Sequence, residues 1–157
     1  MVRPMTERDR ERVLDIIRST GMFTADEIQV AGELIDIFLD QPGQRDYVVV
    51  VAEDENGRVA GYLTYGPTPL TEGTYDLYWM AVAPEVQGRG FGRELVLWLE
   101  QQVRSAGGRL VLIETSSQPK YEKTQRFYLG LGYQEASRIP DFYKAGDDRI
   151  TYTKYFG

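Results

Sequence analysis

Neither histidine nor cysteine occurs among the 157 residues, so any acid, base or nucleophile must come from Glu, Asp, Tyr, Lys or water. Disulfides, thiolate metal sites and covalent cysteine intermediates are excluded with them. The stretch that points most directly to a ligand is Gln87 to Arg93, QGRGFGR, with three glycines between an apolar segment ending at Pro84 and the run ELVLWLEQQV. A strand, a bare turn and a helix start in that order make an anion site. Amide N–H groups converge at the helix N-terminus, the dipole is positive there, and glycine lets a ligand reach the backbone. Arg89 and Arg93 add local positive charge to a chain of formal net charge −6. A tight turn between strand and helix is the competing reading. Two nucleotide motifs fail: Arg93 stands where the third glycine of G-x-G-x-x-G would be, and no G-K-[ST] is present.

The elements that must hold this turn can be read from periodicity. Val13, Leu14, Ile16 and Ile17 fall at helical spacing and predict a helix over 7–19. Thr24 with Glu27 forms a capping-box pattern ahead of Ile28, Ala31, Leu34, Ile35, Phe38 and Leu39, a second helix that should stop before Pro42. Segments 45–54 and 58–66 flank Asn56-Gly57 and predict an antiparallel hairpin. Segment 74–84 reads as a strand that Pro84 terminates, and Leu95, Val96, Trp98, Leu99 and Val103 mark a helix ending at Gly107-Gly108. A buried strand over 109–117, a helix over 121–131 closed by Gly132, and strands near 133–139 and 149–156 complete the chain. The order β-α-α-β-β-β-α-β-α-β-β predicts an α/β fold, a mixed sheet flanked by helices, with a right-handed parallel crossover over 74–117. Length and a 42% hydrophobic share suit one domain spanning 1–157. No apolar run approaches signal-peptide or membrane-span length, so a cytoplasmic setting without membrane partners is expected. The acidic balance disfavours nucleic acid and mildly favours cationic ligands such as amines.

Gln87, Gly90 and Gly92 also satisfy Q-x-x-G-x-G directly after a strand ending MAVAP, and RFYLGLGY follows downstream as F-Y-x-x-x-G-[FY]. In these motifs, and in the opening VRPMTERD, the paired N-terminal helices and the NG hairpin, the chain resembles the GNAT superfamily of N-acetyltransferases. The resemblance implies a central splay between the two parallel strands, where acetyl-CoA lies as co-substrate with no metal. It implies that the backbone of Met80, Ala81 and Val82 pairs with the pantetheine arm. It implies further that Gln87, Gly88, Arg89, Gly90, Phe91, Gly92 and Arg93 form the pyrophosphate loop. Tyr128 matches the family's usual proton donor to the departing thiolate, a role suited to a phenol with pKa near 10; a tyrosine packed on the sheet is the rival.

Glu114, in LVLIETSS, stands where some relatives carry a base, and a carboxylate on an apolar strand can have a raised pKa. An ion-paired or solvent-facing residue, with an ordered water as the base, fits the sequence equally. Relatives often have N-x-x-A-x-x-[LF]-Y, whereas this chain places Tyr121 and Thr124 at the Asn and Ala positions. Lys120, Lys123 and Arg126 either approach the phosphorylated end of CoA or form a solvated basic helix face. Tyr65, Tyr78, Asp141, Tyr143 and Asp147 offer ring faces and carboxylates to a cationic amine. The reading is direct transfer from acetyl-CoA to a small-molecule or peptide amine, with a noncatalytic acyl-CoA-binding module and a nucleotide-binding regulatory domain as rivals. The sequence leaves the acceptor and the oligomeric state open, a homodimer included.

Overall fold

A computed structural model describes residues 1–157. The strands are β1 (Val2–Pro4), β2 (Val48–Glu53), β3 (Val59–Pro67), β4 (Thr74–Val82), β5 (Leu110–Ser116), β6 (Gln134–Lys144) and β7 (Asp147–Tyr155). The helices are α1 (Arg10–Ser19), α2 (Ala25–Asp40), α3 (Phe91–Ser105) and α4 (Glu122–Gly130). The sheet order is β1-β2-β3-β4-β5-β7-β6, with β4 and β5 its parallel neighbours. No helix is long and apolar enough to cross a membrane.

The unbroken VVVV of β2 is explained by helices on both faces of the sheet. Val49 and Val51 turn to a core shared with Val13, Ile16 and Ile17 of α1 and Ile35 of α2. Val50 and Ala52 turn to the opposite core with Leu95, Leu99 and Val103 of α3 and Tyr128 of α4. The capping box of α2 is formed: Thr24 Oγ1 accepts from Glu27 N at 3.1 Å and Glu27 Oε1 from Thr24 N at 3.0 Å.

Boundaries shift where side chains intercept the backbone. The helix expected from residue 7 begins at Arg10 after a 3-10 turn over Glu7–Asp9, whose Asp9 carboxylate accepts from Thr6 N and from the Arg3 guanidinium. The strand expected from 45 begins at Val48, because Gln44 Oε1 takes the amides of Asp46 and Tyr47. β6 continues to Lys144 rather than ending near 139. Pro140 is tolerated because it falls in the irregular stretch of this edge strand between Ile139↔Arg149 and Lys144↔Asp147, where the ladder is interrupted.

Candidate active site

β4 and β5 are paired only from Thr74↔Leu110 to Leu77↔Ile113. Beyond that point each keeps its outer neighbour and leaves the other: β4 stays on β3 as far as Val82↔Gly61, and β5 stays on β7 as far as Ser116↔Arg149. The parting coincides with a bulge, since Thr64 faces Trp79 while Tyr65 faces Leu77, leaving Tyr78 as the extra residue. A bulge bends its strand and strengthens its twist, which carries the end of β4 away from β5.

The opened edge offers backbone. Ala83 N donates to Ala60 O at 2.8 Å, so by strand alternation Ala81 turns its polar backbone toward Tyr62 while Met80 and Val82 turn theirs to the vacated side. Val82 O accepts from Gln87 Nε2 at 3.3 Å. The loop then winds through Gly88 (φ 82°) and Gly90 (φ 94°), left-handed conformations that favour glycine, with open space where a Cβ would stand. Gly90 caps α3, whose first amides at Phe91, Gly92 and Arg93 lack intrahelical acceptors. Arg89 pairs with Glu55 at 3.4 Å and lies 5.8 Å from the Phe91 ring centroid. Arg93 is exposed on the first turn.

Between the parted strands lies a cavity of about 740 Å³, walled by β4, β5, α4 and the turn between α1 and α2. Tyr128 is 3% exposed and lines it. Its ring packs against Phe127, Tyr133 and Tyr152, and burial holds its phenol above the ordinary value. The hydroxyl has no partner in the protein. The platform beneath is fixed, with Tyr133 donating to Glu100 Oε2 at 3.0 Å and Lys154 donating both to Glu100 Oε1 at 3.0 Å and to Leu131 O at 2.8 Å.

Glu114 lines the same cavity but is not enclosed by apolar neighbours: its side chain is 46% exposed and its carboxylate is 3.9 Å from Arg149. Of the residues expected to face an amine, Tyr78, Tyr143 and Asp147 line the cavity. Tyr65 is turned to the α3 face beside Tyr75 and Trp98, and Asp141 accepts from Gly146 N within the β6–β7 hairpin. Lys120 does not reach toward the loop. It donates to Met22 O at 3.1 Å, and Tyr121 Oη donates to the same carbonyl at 3.0 Å, so the segment before α4 is tied across the cavity to the α1–α2 turn. Arg126 pairs with Glu122 one turn away at 3.7 Å.

Phe23, Glu27 and Trp79 also line the cavity, and sequence reasoning did not single them out as site residues. Glu27 carried a signal only as a helix cap, and Trp79 reads as core in an alternating strand. Burial, with Asp76 nearby, pushes the Tyr78 phenol up to about 12; burial with Glu27 and Asp147 does the same to Tyr121.

A sequence model of the acetyltransferase (GNAT) domain matches residues 45–135. A crystal structure of an acetyltransferase assigned to the GNAT family from Desulfovibrio desulfuricans is 44% identical, covers 99% of this chain and 98% of its own, and superposes with a TM-score of 0.92. S-(2-succino)cysteine N-acetyltransferase of Bacillus subtilis is 26% identical over 132 residues, 81% of this chain and 79% of that protein. An aminoglycoside 6'-N-acetyltransferase solved with coenzyme A shares the fold at 19% identity and TM-score 0.75, over 99% of this chain and 96% of that one. The chain belongs to the GNAT family of acetyltransferases. It is an acyl-CoA-dependent N-acetyltransferase.

Proposed function

We propose that residues 1–157 form one catalytic unit that transfers an acetyl group from acetyl-CoA directly to an amine. The observation that carries this reading is the parting of β4 from β5 after Leu77, which opens a cavity walled by Tyr128 and reaching Gln87, the residue that leads into the Gly88–Gly90 turn. The amides of Gly88 to Arg93 would hold the pyrophosphate, with Gln87 fixing the strand end and Arg89 and Arg93 supplying charge. The backbone of Met80 and Val82 would take the pantetheine arm beside Ala81, and their amides would polarise the thioester carbonyl.

In the transfer, the neutral amine nitrogen attacks the thioester carbonyl carbon. A C–N bond forms, the C–S bond breaks, and the nitrogen loses a proton to Glu114 or to an ordered water. Tyr128 protonates the departing thiolate, giving free CoA and an amide. The phenol is neutral at pH 7 and so has a proton to give; burial raises its pKa and weakens it as an acid, so the transfer depends on the thiolate forming beside it in the cavity. Glu114 is exposed enough for an incoming amine or a relaying water to reach. No cysteine exists to carry an acyl group, in keeping with direct transfer. The Bacillus subtilis relative is named for an amino-acid acceptor, which brings amino acids into the range to be tested beside simple amines and peptides.

The test incubates the protein with acetyl-CoA and a broad amine panel, reading free thiol and product mass. Thiol release that requires an amine, with one acetyl group gained by that amine, is the expected result. CoA binding with no amine-dependent release across the panel overturns the reading.

A further inference from the structure

Two carboxylates on the acceptor side of the cavity have no basic partner. Asp147, at the start of β7, is 6% exposed, and its side-chain partner is the hydroxyl of Ser116. Lys144 stands opposite it in the β6–β7 register, yet forms no ion pair with it. Glu27, from α2, accepts from Thr24 N and meets no cation. The third acid, Glu114, has Arg149 at 3.9 Å. Lys120 is bonded to the Met22 carbonyl and lies 5.4 Å from the Tyr121 ring centroid. A carboxylate as buried as Asp147 is costly without a compensating charge. An incoming cation would supply it.

The walls suit such a guest. Phe23 and Trp79 meet edge to face at 5.5 Å, and Tyr121 and Tyr143 stand with them around the cavity. Aromatic faces bind ammonium groups and cover methylene chains. The phenols register the local field: beyond burial, Tyr121 is raised by Glu27 and Asp147, and Tyr143 by Glu114, Asp147 and Glu27 against the opposing Arg149.

We propose that the acceptor is an aliphatic diamine or polyamine, acetylated on one nitrogen while a second ammonium rests on Glu27 and Asp147 against the rings of Tyr121 and Tyr143. This rests on the acyl-transfer reading above. The chemical step is the same: one C–N bond forms, one C–S bond breaks, and the second nitrogen keeps its proton and charge throughout.

The test compares putrescine, n-butylamine and γ-aminobutyrate, matched in chain length, as acceptors with acetyl-CoA. Putrescine is expected to exceed n-butylamine in kcat/KM by about tenfold or more, and γ-aminobutyrate to fall below both, since charge complementarity both attracts and excludes. Glu27→Gln keeps a side chain able to complete the α2 cap and should reduce the putrescine to butylamine ratio to about twofold; Asp147→Asn should lower it in the same direction. The wild-type series decides the proposal even if a variant fails to fold. Equal rates for the two cations, a preference for γ-aminobutyrate, or a ratio unmoved in both folded variants overturns the proposal and leaves acyl transfer standing. Absence of amine-dependent thiol release with every amine of this series and the broad panel overturns both.

Discussion

β4 and β5 run side by side as one structure and then as two. From Thr74 to Leu77 the strands are bonded to each other, and Leu77, Val111 and Ile113 belong to the α3-side core. From Tyr78 to Val82 the facing backbone of β4 has no strand partner, and Glu114 to Ser116 line a cavity. Along β5 the composition changes at the parting, from the apolar LVLI of 110–113 to the polar ETS of 114–116, whereas β4 continues as YWMAV although its partner strand has been withdrawn. The bulge at Tyr78 divides the two halves, and the unpaired edge beyond it is an unmet demand for hydrogen bonds.

The sharpest way to break this contrast is Tyr128→Phe, at the floor of the parted half. Its hydroxyl has no partner in the protein, so the change should leave the melting temperature and CoA affinity nearly as they are. If Tyr128 is the proposed proton donor to the thiolate, its loss should lower kcat by roughly 10²–10⁴. A variant with wild-type kcat would make Tyr128 a core residue like those of the paired half. The pH profile sharpens the same point. The folded-state pKa of Tyr128 is raised, so the neutral acid persists and kcat should show no alkaline limb from this group up to about pH 10. The stability tied to it is fully present below about pH 10 and is lost as pH rises beyond that value.

The paired half should respond in the opposite sense. Val111→Ala, at a fully buried position, removes packed methyl groups and should cost on the order of 2 kcal/mol in urea unfolding, with kcat per folded molecule little changed. A large kcat loss in folded protein would mean that the two halves are mechanically coupled.

The smallest effect is expected from Tyr121→Phe. Met22 O keeps its bond from Lys120, so the lost hydrogen bond should be worth about 0.5–1.5 kcal/mol and appear as a several-fold rise in KM for the amine, measured by initial rates. An effect confined to CoA affinity would instead return Tyr121 to the cofactor role that the asparagine of related sequences suggests.

Much of this was legible in the chain. Thr24 and Glu27 marked the start of α2, Pro84 stopped β4, and the glycines of QGRGFGR marked a left-handed turn at a helix start. Each is a local device whose chemistry works within a few residues. Tyr65 and Asp141 show the limit: both types suit an amine, yet one ring faces the α3 side and the other carboxylate holds its own hairpin. Which side of a strand faces the cavity depends on register, and a single bulge reverses it.

By itself the sequence determined the element order, the glycine turn at the start of α3 and the exclusion of cysteine and histidine chemistry, because residue type and short spacing carry those directly. Tertiary structure decided where β4 leaves β5, which tyrosines line the opening, and that Glu27, Glu114 and Asp147 line one cavity. Those carboxylates come from α2, β5 and the start of β7, and only packing of elements distant in the chain sets the field they make together.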